Sequence, residues 1–251
     1  MHPSPLADPL IPVAGTVEAQ PVTERGPWLA TSLGGMWSIL TPHARDVFIE
    51  DIAAGISRTC RYAGQVKAGV PFYSVAEHCV LMTRWALDNG MARTREEALA
   101  VLLHDASEAF YGDLPTPLKA LMPEFKVIED RAQAVIDAAF GIDRDRLGFS
   151  RSELKRLDRS IRLDERAALI REPALSAGLR LSWSDDPGLE PTNMRIDLLE
   201  PGQAERAFLD CFCWCCENLP SSGAFPHLAL AQAERARAAL AEPEPERLPS
   251  P

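Results

Sequence analysis

The chain contains five histidines, and two of them stand inside strongly patterned apolar stretches. His78 follows SVAE, and His104 interrupts LAVLLHDASEAF directly before Asp105. A buried imidazole beside a buried carboxylate, with Glu108 about one turn further along the same face, must offset a large desolvation cost. A cation or an extended hydrogen-bond network would do so, and among cations imidazole and carboxylate together suit divalent Mn, Fe, Co, Ni or Zn. His104 and Asp105, as neighbours on a helix, would point about 100° apart and flank one ion. Further ligands must come from other helices, and His78 is the first candidate. For the next, LKRLDRSIRLDERAALI offers Asp158 and Asp164 among leucines and isoleucines, and Asp158 is preferred.

The elements that position these residues read as helices. Ser or Thr followed three residues later by Glu marks a reciprocal cap at a helix start. Ser74 and Glu77 open SVAEHCVLMTRWALDNG, Thr94 and Glu97 open TREEALAVLLHDASEAFYG, and Ser150 and Glu153 open SRSELKRLDRSIRLDERAALI. Pro201 stands in the first turn of PGQAERAFLDCFCWCCENL. EFKVIEDRAQAVIDAAFG and FIEDIAAGISRTCRYAG carry apolar residues at helical spacing. Strand alternation is scarce, and ALSAGLRLSWSDDPGLEPTNMRIDLL is a long irregular insert. The expected fold is an all-α bundle over residues 46–219, with flexible termini. Residues 1–45, rich in Pro and Gly, read as a poorly ordered leader. Residues 220–251 read as an Ala/Glu/Pro-rich tail, at most a short exposed helix.

Composition narrows the function. A net charge of −10 argues against a partner that is a nucleic-acid polymer, whose phosphates are gripped by clustered Lys and Arg. A small anion in a locally positive pocket remains compatible with it. No apolar stretch approaches the ~20 residues of a membrane span, and the N-terminus lacks the basic-then-apolar order of a signal peptide, so a cytoplasmic location with no membrane partner is expected. The six cysteines sit in apolar helical patterns and read as reduced thiols. The cluster CFCWCC at 211–216 lacks the paired CxxC spacing of a structural zinc site and reads as helix packing.

The series SVAEH, then HDASEAFYGDLPTPLK, then an Asp on a later helix resembles the HD-domain metal-dependent phosphohydrolases, and within them the YfbR-like 5'-deoxynucleotidases. The resemblance rests chiefly on residues 104–119 and implies an HD-domain helical bundle holding one divalent metal through His78, His104, Asp105 and Asp158. It implies Glu108 as general acid/base beside the attacking water, and Asp113 facing the sugar or the ester oxygen; Asp113 also reads as a plain turn residue. An arginine upstream of the first histidine is implied for substrate phosphate. Arg58, Arg61 and Lys67 are available, and Arg61 is favoured. The substrate would be a (deoxy)nucleoside 5'-monophosphate and the assembly a homodimer. Glu108 is followed by Ala109 where alarmone hydrolases carry a second acid, and only His2, His43 and His227 remain for a second metal. A dNTP triphosphohydrolase drawing on Lys119 and Lys126, and a non-catalytic nucleotide- or metal-binding regulator, are the alternatives.

Overall fold

A computed structural model describes residues 26–171, 188–223 and 225–241. The described chain is mostly helical, as its patterning predicts: α1 (Ile49–Arg58), α2 (Val75–Asp88), α3 (Arg95–Leu102), α4 (Glu108–Tyr111), α5 (Thr116–Lys119), α6 (Pro123–Ala139), α7 (Arg151–Leu169), α8 (Pro201–Asn218) and α9 (Pro226–Ala241). Helix α8 packs against α1, α2, α3 and α9, while α4 lies on α1 and α7 on α2. Ile52 and Ile56 of α1, Met82 of α2, Leu99 and Leu102 of α3, and Phe208 and Phe212 of α8 are fully buried in one core. Among the described residues no helix is long and apolar enough to cross a membrane.

The caps explain several starts. At α3 and α7 the cap is reciprocal: Thr94 and Ser150 accept from the backbone N–H groups of Glu97 and Glu153, whose carboxylates accept in return. At α2 only half of it forms. Ser74 accepts from the Glu77 N–H, but the Glu77 carboxylate turns away and accepts from the N–H groups of Asp197, Leu198 and Leu199 at 2.7, 3.0 and 2.9 Å. That contact pins the chain ahead of α8 to the first turn of α2.

Three expectations differ from the structure. The helix expected over 94–112 is broken between Leu102 and Glu108, where the chain winds through bonds of the i to i−3 kind. Gln133 of α6 holds the break from both sides, its Nε2 donating to the Leu103 carbonyl and its Oε1 accepting from the Ser107 N–H. The part of the expected leader among the described residues, 26–45, is folded against the bundle. Strands β1 (Trp28–Ala30) and β2 (Met36–Ser38) form an antiparallel hairpin with Trp28 opposite Ser38. Its Trp37 is fully buried, stacks on Phe110 of α4 at 3.9 Å and donates to the Tyr111 hydroxyl. One large ring supplies the apolar area that this Pro- and Gly-rich stretch otherwise lacks.

The expected exposed tail helix is instead α9, packed into the bundle. Ala229, Ala233 and Ala236 are buried at helical spacing, and the thiols of Cys213 and Cys216 donate to the carbonyls of Ala233 and Ala229. Small side chains on both helices permit that close approach. Cys213, Cys215 and Cys216 are fully buried and free, which agrees with a packing role for CFCWCC. Residues 1–25 of the leader, 174–187 of the insert and 242–251 of the tail lie outside the described residues; 188–199 run without helix or strand.

Candidate metal centre

Four elements deliver the site. Helix α2 presents His78 one turn from its cap, the broken turn between α3 and α4 presents His104 and Asp105, α7 presents Asp158, and a tight turn after α1 presents Arg61. In that turn Tyr62 and Ala63 both adopt left-handed backbone, with φ of 59° and 51°. Such a conformation is costly for residues with a Cβ and is held by its surroundings. The Arg61 N–H donates to the Tyr73 carbonyl at 2.9 Å, and the Tyr62 hydroxyl donates to Glu165.

The two imidazoles are each fixed at one nitrogen. His78 Nδ1 donates to Glu165 Oε1 at 2.6 Å, and His104 Nδ1 donates to the Val101 carbonyl at 2.8 Å. A carboxylate and a carbonyl can only accept, so each ring carries a proton on Nδ1, and Nε2 offers its lone pair when the ring is neutral. Both Nε2 atoms are buried without a hydrogen-bond partner. They converge on Asp105 Oδ2, which lies 3.1 Å from His104 Nε2, without the alignment of a hydrogen bond, and 3.9 Å from His78 Nε2. His78, His104 and Asp105 each bring one ligand atom within 4.8 Å of the others, a group that can hold a metal ion. Asp158 Oδ1 stands 3.5 Å from His78 Nε2, at the edge of the same space. Two buried, orphaned imidazole nitrogens beside carboxylates fit a divalent transition ion.

Of the two aspartates weighed on α7, only Asp158 reaches the site. Asp164 instead accepts from the Thr192 N–H and hydroxyl and from the Asn193 N–H. The residue that sequence reasoning missed is its neighbour Glu165, which is fully buried. Glu165 gathers the Tyr62 and Tyr73 hydroxyls, His78 Nδ1 and, at 3.3 Å, the Arg61 guanidinium. Burial opposes its ionisation, but Arg61, His78 and the Tyr62 hydroxyl outweigh it and hold the carboxyl down at about 2. A buried carboxylate on the far nitrogen of an imidazole is the arrangement that, at a metal site, orients the ligating histidine and raises its basicity. The available signal was spacing: Glu165 follows Asp158 by seven residues, two turns on one face.

Arg61 is nearly buried, its guanidinium 3.5 Å from Asp105, 3.9 Å from Asp158 and 3.3 Å from Glu165. Arg58, by contrast, pairs with Glu205 away from these groups. Burial disfavours a charged His104 ring, yet the Asp105 carboxylate raises its pKa well above the ordinary value. Asp105 in turn is held well below the carboxylate range, burial being outweighed by His104, His78 and Arg61.

Glu108 and Asp113 complete the surround. Burial, then the charges of Asp105 and Asp113, push the Glu108 carboxyl up to about 9. Asp113 is raised by burial and by Asp105, with Arg61 opposing. Two glycines shape this corner. Gly112 ends α4 at φ 77°, turning the chain so that Asp113 follows. Gly55 of α1 has no side chain because a Cβ there would lie 2.6 Å from the Ala109 carbonyl oxygen, directly after Glu108.

No protein-family model matches the chain. It is 40% identical over 97 residues to "Uncharacterized protein YfdR" of Escherichia coli K12, a match covering 39% of this chain and 49% of that protein. It is 36% identical over 116 residues to an uncharacterized protein of Rhodobacter capsulatus, covering 46% of this chain and 59% of the relative. The chain thus spans between about half and three fifths of the length of the curated relatives it matches.

Proposed function

We propose that this chain is a metal-dependent phosphomonoester hydrolase acting on (deoxy)nucleoside 5'-monophosphates. The observation that carries the reading is the pair of buried, unpartnered imidazole Nε2 atoms converging on Asp105, each ring fixed through its other nitrogen. His78, His104, Asp105 and Asp158 would hold one ion of the Mn, Fe, Co, Ni or Zn kind. Such an ion would supply charge for a phosphoryl oxygen and would bring the pKa of a water down toward ~7.

The chain's own residues do the rest. Glu108 takes a proton from the attacking water and returns one to the leaving 5'-oxygen as the P–O bond breaks. Asp113 faces the sugar or the ester oxygen. Arg61, whose Nε is buried and unpartnered, directs guanidinium N–H groups at phosphate oxygens. The two lysines that a triphosphate would call on are engaged, Lys119 with Glu108 and Glu129, and Lys126 with Asp130. Glu108 and Asp113 beside the candidate ligands favour a hydrolase over a binder that has lost turnover.

The test is phosphate release from a panel of deoxy- and ribonucleoside 5'-monophosphates and dNTPs with Mn, Co or EDTA. Orthophosphate from the monophosphates, lost in EDTA and in His104→Ala, is the expected result. Triphosphate released from dNTPs would assign the rival activity, and metal binding without any turnover would assign a binding protein.

A further inference from the structure

Lys119 ends α5, the short helix beyond Asp113, and its ammonium sits between two carboxylates. It donates to Glu108 Oε1 at 3.1 Å and to Glu129 Oε1 at 2.7 Å. Glu108 is only 4% exposed, and its second oxygen, Oε2, is buried with no hydrogen-bond partner. One oxygen is therefore clamped and the other left free. Glu129 belongs to α6, which carries none of the candidate ligands, and it supplies the second contact that a flexible four-carbon stem needs to hold a fixed position.

We propose that Lys119 and Glu129 are positioning residues that lock the Glu108 side chain with Oε2 turned to the reacting oxygen. This rests on the reading of Glu108 as general acid/base given above. The ammonium is thereby committed to the carboxylates and not to substrate phosphate. A carboxyl released from such a clamp still lies in the site, but it samples several rotamers, and a displacement of about 1 Å costs on the order of 10²-fold in rate.

Three variants of the Mn-loaded protein test this: Lys119→Met, Glu129→Gln and Lys119→Arg, each assayed for kcat, KM and metal content on a deoxynucleoside 5'-monophosphate. The first two are expected to lose about 10- to 100-fold in kcat with KM changed less than about twofold and metal content unchanged, and Lys119→Arg to recover part of the loss. A Lys119→Met protein with full kcat overturns the proposal, as does one whose KM rises while kcat holds, which would place the ammonium on the substrate. If the wild-type protein hydrolyses no phosphoester, the catalytic reading falls and the clamp is decided by urea midpoints. Shifts from Glu108→Gln and Lys119→Met that fail to add in the double variant support it, and additive shifts overturn it.

Discussion

Between α8 and α9 the bundle buries two cysteines and three alanines; between α2, α7 and the α3–α4 turn it encloses two imidazoles, a guanidinium and the carboxylates of Asp105 and Glu165. Both seams place polarisable or ionisable groups out of water, and they settle them in opposite ways. In the sulfur seam burial pushes the Cys213 and Cys216 thiols up to about 11 and about 12, so they stay protonated and donate to α9 carbonyls. In the histidine seam three buried nitrogens, His78 Nε2, His104 Nε2 and Arg61 Nε, still lack a partner. The difference separates a packing surface from a candidate metal centre: the first is complete with what the chain supplies, and the second keeps buried nitrogens that an added ion would satisfy.

The sharpest way to break that contrast is Glu165→Gln. Removing the charge leaves Arg61 short of its closest carboxylate and His78 with a weaker orienting partner. Breaking a buried pair costs about 3–5 kcal/mol, and loss of an orienting carboxylate costs about 10- to 100-fold in metal affinity. Urea unfolding and Mn or Co titration read the two effects, and unchanged metal affinity would reduce Glu165 to a partner for Arg61 alone. Gly55→Ala comes next. Its methyl meets the Ala109 carbonyl oxygen at 2.6 Å, so α4 must retreat from α1, with a stability loss of about 1–3 kcal/mol and weakened turnover through Glu108. A thermal midpoint equal to wild type would mean that the corner yields freely. The smallest effect belongs to the other seam: Cys213→Ala should cost about 1 kcal/mol and leave the bound metal per chain unaltered. Loss of metal from that variant would erase the distinction between the seams.

Much of the arrangement was legible in the residues because local chemistry specified it. Reciprocal caps located α3 and α7, and the adjacency of His104 and Asp105 to an apolar run announced a centre. What escaped detection was set by distant partners. The break after α3 is invisible in LAVLLHDASEAF, whose apolar period runs straight through; it depends on Gln133, about thirty residues on in α6. Glu165 stands in the run RLDER, which reads as a solvated face until Tyr62, Tyr73 and His78 are folded around it. Helix α9 looks solvent-facing because its buried stripe is alanine, and alanine declares a face only when cysteines of matching size oppose it.

The chain returning from the irregular insert is moored twice before α8 begins, at Thr192 and Asn193 by Asp164, and at 197–199 by Glu77. Glu77 is the residue next to His78 and Asp164 the residue next to Glu165. The moorings therefore act as firebreaks for protein engineering: a peptide tag or reporter grafted into the segment joining α7 to Thr192 ends against carboxylates already committed to backbone, and its disturbance is stopped before it reaches the histidine seam.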